Sequence, residues 1–166
     1  MKKIFSVLII MVMLVSCGED VQFNNESVLQ GVRNNEFWQG TGAQALATPS
    51  LLILSAMNGT ETITLRVPLP GRTIDPKKES TFMTFILGEA ANRKATFTVE
   101  DADGELIYET RLGEEDGEVV ISEFDGNVVS GTFRFNAYNI DEDADEDDLI
   151  NLQDGVFYKV AVIPSL

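Results

Sequence analysis

The residues able to do chemistry in this chain are defined as much by what is missing as by what is present. There is no histidine, and Cys17 is the single cysteine. Ser-His-Asp and Cys-His relays, and nearly all zinc sites, need an imidazole, so those classes are excluded. Acids are plentiful, with 27 Asp and Glu against 12 Lys and Arg and a net charge of −15. A carboxylate pair of the glycosidase kind is the main catalytic route left open, but no spacing marks one pair out from the others. The densest group is Asn139 to Asp148 (NIDEDADEDD), with seven acids in the eight positions 141 to 148. Asp141, Asp143 and Asp145 alternate as in a calcium loop. Glu146 then stands where the turn needs glycine, and Leu152 where a bidentate Glu is required. The run reads as a charged, flexible hairpin tip, with no metal and no cofactor expected.

Trp38, the sole tryptophan, is the one weak candidate for a ligand contact, since an exposed indole can stack on a sugar. It follows Phe37, and adjacent strand positions point to opposite faces, so at most one of the two need be core. Packing is the preferred reading for Trp38, because aromatics mostly supply buried area. Phe157 and Tyr158 form a second such pair.

Cys17 has a specific setting. Met1, Lys2 and Lys3 form a short positive start, and Ile4 to Val15 are apolar except at Ser6. That is a secretory leader, residues 1–16, too short for the roughly 20 apolar residues of a spanning helix. Leu14-Val15-Ser16-Cys17 resembles the lipobox of bacterial lipoproteins, in which the cysteine is acylated and becomes the new N-terminus. Two or more acyl chains anchor stably at about 0.8 kcal/mol per buried methylene. Cys17 is therefore expected to carry lipid, which leaves no thiol for disulfides, metals or catalysis. Removing residues 1–16 takes away Lys2 and Lys3 and no acid, moving the net charge from −15 to −17. Such a chain repels nucleic acid and anionic headgroups, so no nucleic-acid partner is expected and the membrane is reached through the lipid.

The elements that must position any site are short and alternating. Glu61 to Val67, Ser80 to Leu87, Ala95 to Glu100, Val119 to Phe124 and Val129 to Tyr138 have the period of half-buried antiparallel strands. Thr62, Thr64 and Arg66 face one way, Ile63, Leu65 and Val67 the other. Asn58-Gly59, Asp103-Gly104, Asp116-Gly117, Asp125-Gly126 and Asp154-Gly155 are tight-turn dipeptides. Pro68 and Pro70 end a strand. Gly71 to Glu79 reads as a loop, and Asp147 to Asn151 allows one helical turn. The expected fold is all-β, an antiparallel β-sandwich or partly open barrel of about eight to ten strands. A closed ligand-holding barrel is the alternative. The expected organisation is the leader at 1–16, a lipid-anchored N-terminal segment at 17–33 and a β-sandwich domain at 34–166. Apolar Val21, Phe23, Val28, Leu29 and Val32 argue that part of residues 20–32 packs on the domain, with Phe23 or Leu29 covering an edge.

Asp20 to Gly31 (DVQFNNESVLQG), Asn35 to Trp38 (NEFW), Gly117 to Phe135 (GEVVISEFDGNVVSGTFRF) and Gln153 to Val160 (QDGVFYKV) resemble the recurring blocks of a known family. Its members are small, lipid-anchored, all-β cell-envelope proteins of Bacteroidota, classed only as a domain of unknown function. The resemblance implies an outer-membrane lipoprotein, surface-exposed if Gly18 to Asp20 serve as the acidic export signal of similar lipoproteins. It transfers no activity or site residues. The expected function is a non-enzymatic binding or accessory module with a protein or glycan partner. The alternatives are a carboxylate-dependent enzyme acting on polysaccharide and a small-ligand carrier with its site inside a barrel.

Overall fold

The computed structural model describes residues 27–100, 102, 104–141 and 148–165. Ten strands form one sheet: β1 (Val28–Arg33), β2 (Glu36–Ala47), β3 (Leu51–Asn58), β4 (Glu61–Pro68), β5 (Met83–Leu87), β6 (Lys94–Glu100), β7 (Glu105–Glu109), β8 (Gly117–Phe124), β9 (Val128–Asn139) and β10 (Leu149–Pro164). The helical content among the described residues is one 3-10 turn, Glu79–Thr81. The all-β antiparallel expectation holds, and the strand count lies at its upper limit.

The ladders close into a ring. From β2 the pairing passes through β3, β4, β6, β7, β9 and β10, and β1 sits antiparallel between β10 and β2. Below the start of the short β1, β10 and β2 meet directly in a parallel pairing, Val162↔Ala45 to Pro164↔Ala47. The remaining strands lengthen this ring. Both β7 and β8 lie along one edge of β9, β8 opposite its residues 129–135 and β7 opposite Tyr138 and Asn139. β5 pairs with β8 as β6 pairs with β7. Thus β5 and β6 behave as one long strand interrupted at residues 88–93, and β7 and β8 as its partner interrupted at 110–116. The chain therefore runs up and down around eight positions, a size whose interior side chains just fill.

Alternation supplies that filling. Along β4 the buried residues are Ile63, Leu65 and Val67, with Arg66 exposed between them, as the sequence predicts. Along β9, Phe133 and Phe135 are buried while Thr132 and Arg134 are exposed. Trp38, Phe97, Phe157, Leu29, Leu52, Leu54, Ile63, Leu65 and Leu152 are among the largest side chains that are fully buried. Each buried Leu or Ile contributes roughly 1.5–3 kcal/mol relative to exposure.

Several local expectations need correction. The sheet begins at Val28, so β1 lies inside the segment assigned to the anchor, and the domain starts before residue 34. Leu29 is fully buried between two neighbouring strands, as the edge-covering role requires, while Phe23 lies outside the described residues. The hairpin joining β1 to β2 uses Asn34-Asn35, both at positive φ, which asparagine tolerates. Asp154-Gly155 is not a turn: β10 runs through it, with a bulge where Asp154 takes a φ of 49°. Asp116-Gly117 is not a hairpin either, since it ends the 110–116 excursion and opens β8. Leu149 onward is strand rather than a helical turn, because the ladder with β9 starts at Leu149↔Tyr138 and tertiary pairing overrides a weak local preference. Asn58-Gly59 and Asp125-Gly126 do mark the hairpins β3–β4 and β8–β9.

Candidate functional site

Trp38 is placed in the core, at 2% exposure, with its Nε1–H donating to Glu61 Oε2 at 2.8 Å. Glu61 also takes a hydrogen-bonded ion pair from Arg33, whose guanidinium lies 5.7 Å from the centre of the Phe97 ring. The indole is thus packed and its one polar atom satisfied, so it offers no face to a sugar. Phe37 points out, at 67% exposure. In the second aromatic pair Phe157 is buried and Tyr158 half-buried. Cys17 and residues 142–147 lie outside the described residues. The flanks of the acidic run form the base of the β9–β10 hairpin, as expected. Asp148 accepts from Asn139 Nδ2 at 2.7 Å and from the Tyr108 hydroxyl at 3.3 Å. Burial pushes the Tyr108 pKa up, and the charge and hydrogen bond of Asp148 add to this. Among the described residues no group of three or more Cys, Asp or Glu could hold a metal.

Three of the open grooves on the described surface differ in chemistry. One of about 180 Å³ runs over Asp116, Arg134, Asn136 and Asn151. A second, about 330 Å³, follows the Asp154 bulge past Phe133 and Arg134. The third and largest of these, about 450 Å³, is lined by Arg66, Ala91, Lys94, Glu109, Thr110, Arg111, Leu112, Tyr138, Asn139 and Ile140. It opens where the ring is interrupted, at the foot of the two excursions.

Those excursions are held by specific contacts. The Gly113 amide donates to the Gly88 carbonyl at 2.9 Å, clasping one excursion to the other. Gly88 has a φ of 86°, and a Cβ there would collide with the carbonyl oxygens of Glu114 and Arg111. Only glycine meets both conditions. Asp116, almost fully buried, accepts the Arg111 amide at 2.7 Å, while its own carbonyl takes the Asn136 amide at 2.7 Å. Thr110, also buried, accepts the Ala95 amide on Oγ1 at 3.1 Å. A bulge-like interruption fixed in this way re-aims side chains, and such features gather next to functional sites.

The side chains so aimed are cationic. Arg66 of β4 stands directly opposite Lys94 of β6, and Arg111 follows where the β6–β7 ladder ends. Lys94 pairs with Glu109 at 2.6 Å. The Arg111 guanidinium stacks 3.6 Å from the centre of the Tyr138 ring and lies 3.6 Å from an Asp116 oxygen. Arg66 is exposed and has no ion pair among the described residues. Leu112 at 71% and Ile140 at 52% exposure form an apolar rim.

Sequence reasoning found the outward face of Arg66 but missed the groove. The available signal was a pair of charged, glycine-containing inserts, Gly88 to Arg93 (GEAANR) and Thr110 to Asp116 (TRLGEED), each following a strand. Nothing in their spacing says that they meet.

Family comparison answers a narrower question than function. Residues 25–161 match the family described as Domain of unknown function (DUF6252). The chain belongs to that family. The match begins just before β1 and ends within β10, so it includes all of β1 to β9 and most of β10. No curated protein and no solved structure matches the chain. The DUF6252 assignment brings no activity with it, and a functional reading has to rest on the groove and the core.

Proposed function

We propose that this protein is a lipid-anchored cell-envelope module that binds and does not catalyse. Cys17 is its attachment point in the outer membrane of a Bacteroidota-type cell, and its ligand is held on the outside of the barrel. The observation that carries this reading is the contrast between a ring interior filled by Trp38, Phe97 and Phe157 and an external groove lined by three cations. A carrier needs interior space, which a ring of eight filled positions does not provide. Glu109, the carboxylate that lines the groove, pairs with Lys94, and the buried Asp116 behind it lies against Arg111, an arrangement suited to holding charge in place. From Cys17 to Val28 the covalent chain reaches at most about 40 Å, at roughly 3.3–3.6 Å per residue, which keeps the domain close to its membrane.

Intact-mass measurement of protein purified from membranes tests the anchoring. The mature chain should begin at Cys17 and carry a diacylglyceryl group, and Cys17→Ala should be unprocessed or soluble. A lipid-free chain beginning elsewhere contradicts the anchor. Incubation with envelope polysaccharides should release no new reducing ends. Release that is lost in Glu109→Gln contradicts the non-enzymatic reading.

A further inference from the structure

We propose that the groove between the two excursions is a binding site for a small organic anion. Its oxyanion head is held by Arg66 and Arg111, and its apolar body lies on Leu112 and Ile140. This rests on the reading of the protein as a surface-binding module, and names the chemistry that such a surface would take.

The charge placement is the first argument. The chain has 12 Lys and Arg against 27 Asp and Glu, yet among the described residues three cations and one acid line this groove. Arg66 and Lys94 are direct cross-strand partners, a placement of like charges that destabilises a sheet. An anion between the strands removes that repulsion. Lys94 is engaged with Glu109 at 2.6 Å, while Arg111 has only the longer 3.6 Å contact with Asp116 and Arg66 no ion pair among the described residues, which leaves the two arginines to face a ligand.

Preorganisation is the second argument. The Arg111 guanidinium is held against the Tyr138 ring, and its backbone is fixed by Asp116. A planar fork immobilised in this way has little freedom left to lose on pairing with a carboxylate or sulfate, which arginine meets in bidentate fashion. Arg66 brings a second guanidinium from the neighbouring wall.

The rim is the third argument. Leu112 lies in the excursion immediately after Arg111, and Ile140 follows the end of β9, so apolar surface borders the cations. Both are large and exposed. A bare inorganic anion would use the arginines and leave this rim open, whereas an anion with an aliphatic or aromatic body covers both parts. Sites of this kind combine an apolar wall with a few placed polar groups.

The test uses the mature lipidated protein in nonionic micelles, with calorimetric titration of defined probes. Hexanoate and hexyl sulfate carry the two possible heads on one body, hexanamide is the neutral counterpart, and acetate and inorganic sulfate are heads alone. Hexanoate or hexyl sulfate should bind at least tenfold more tightly than hexanamide and the bare heads, and the tighter of the two identifies the head. Raising the salt should weaken binding. Arg66→Gln, at an exposed side chain without an ion pair among the described residues, should weaken it at least tenfold while leaving the melting curve in place. Leu112→Ser should reduce hexanoate binding and leave acetate unchanged. Equal binding of hexanoate and hexanamide, no binding of any probe, or full affinity in a folded Arg66→Gln variant overturns the proposal. If no probe binds while Cys17 is acylated and the protein sits in membranes, the groove assignment fails and the anchored module stands. Loss of the anchor with probe binding intact has the opposite meaning.

Discussion

The β3–β4 hairpin and the paired arms β5/β6 and β7/β8 are built from the same alternating pattern and end up doing different things. β3 and β4 run through an unbroken register from Leu51↔Pro68 to Asn58↔Glu61, closed by Gly59 and Thr60. Every second residue of β4 from Ile63 to Val67 is buried and the turn is minimal. The other pair gives up ladder hydrogen bonds over residues 88–93 and 110–116, and replaces them with the Gly113-to-Gly88 clasp and the Asp116 contacts. The continuous pair supplies core. The interrupted pair retains core through Phe85, Phe97, Val119 and Ile121, and spends its interruption on aiming Arg111 and Leu112 at a groove.

The largest expected effect falls in the continuous region. Leu54→Ala empties a fully buried site and should cost about 2–5 kcal/mol in denaturant unfolding. Groove binding measured on the remaining folded protein should be unchanged. If binding falls with it, the two regions are not separable.

Gly88→Ala is the converse. Its positive φ and the crowding by the Glu114 and Arg111 carbonyls should cost about 1–3 kcal/mol. Here binding at the groove should fall much further than the melting temperature, because the clasp between the excursions is displaced. A variant with parent affinity would show that the excursions do not shape the site.

Asp125 tests an ordinary turn for comparison. Its carboxylate accepts the amides of Val128 and Asn127, which hold its pKa below the ordinary 3.8. A lowered folded pKa stabilises above the unfolded value, and that contribution is lost as pH falls through the folded one. Asp125→Asn should therefore be slightly less stable than the parent at neutral pH, with the gap closing as pH falls below 3.8 and through the lowered folded value. A gap independent of pH would remove the carboxylate from the account. Groove binding should be untouched.

The smallest effect belongs to Arg66→Gln. Without ligand, its stability should stay within about 0.5 kcal/mol of the parent, on the favourable side, because a like-charge pair with Lys94 is relieved. Clear destabilisation would mean that Arg66 has a structural role.

The difference between the two regions also marks how far the sequence could be read. β4, β6, β8 and β9 were legible, because each has alternating apolar residues of strand-forming type. β5 was partly so, since the Ser80 to Leu87 stretch contains both a 3-10 turn and a strand. β2 and β10 are legible only in part, at Phe37-Trp38 and at the stretch ending GVFYKV, and β1, β3 and β7 carry no alternation that marks them. β3 is a nearly continuous apolar run, and β2 is broken by Gly40 and Gly42. β10 carries Asp154-Gly155, which looks like a turn from composition alone, and a second positive-φ residue at Lys159 that composition does not mark. Asp116-Gly117 misled for the same reason: a dipeptide suited to a turn also suits the end of an excursion. Trp38 illustrates the limit on sites. Period two says that at most one of Phe37 and Trp38 need be core, the preference for a packed Trp38 rests on aromatic area alone, and Trp38 is the buried one. The groove was illegible because its parts come from β4, β6, β7, β9 and both excursions, and no local pattern reports that meeting.

The most direct test is amide chemical-shift mapping of the intact protein as hexanoate is added. The account predicts shifts confined to residues 91–94, 109–112 and 138–140, together with Arg66, and none in β3 or the core positions of β4. Shifts centred on buried residues such as Trp38 and Phe157, or none at the groove at saturating hexanoate, would contradict it.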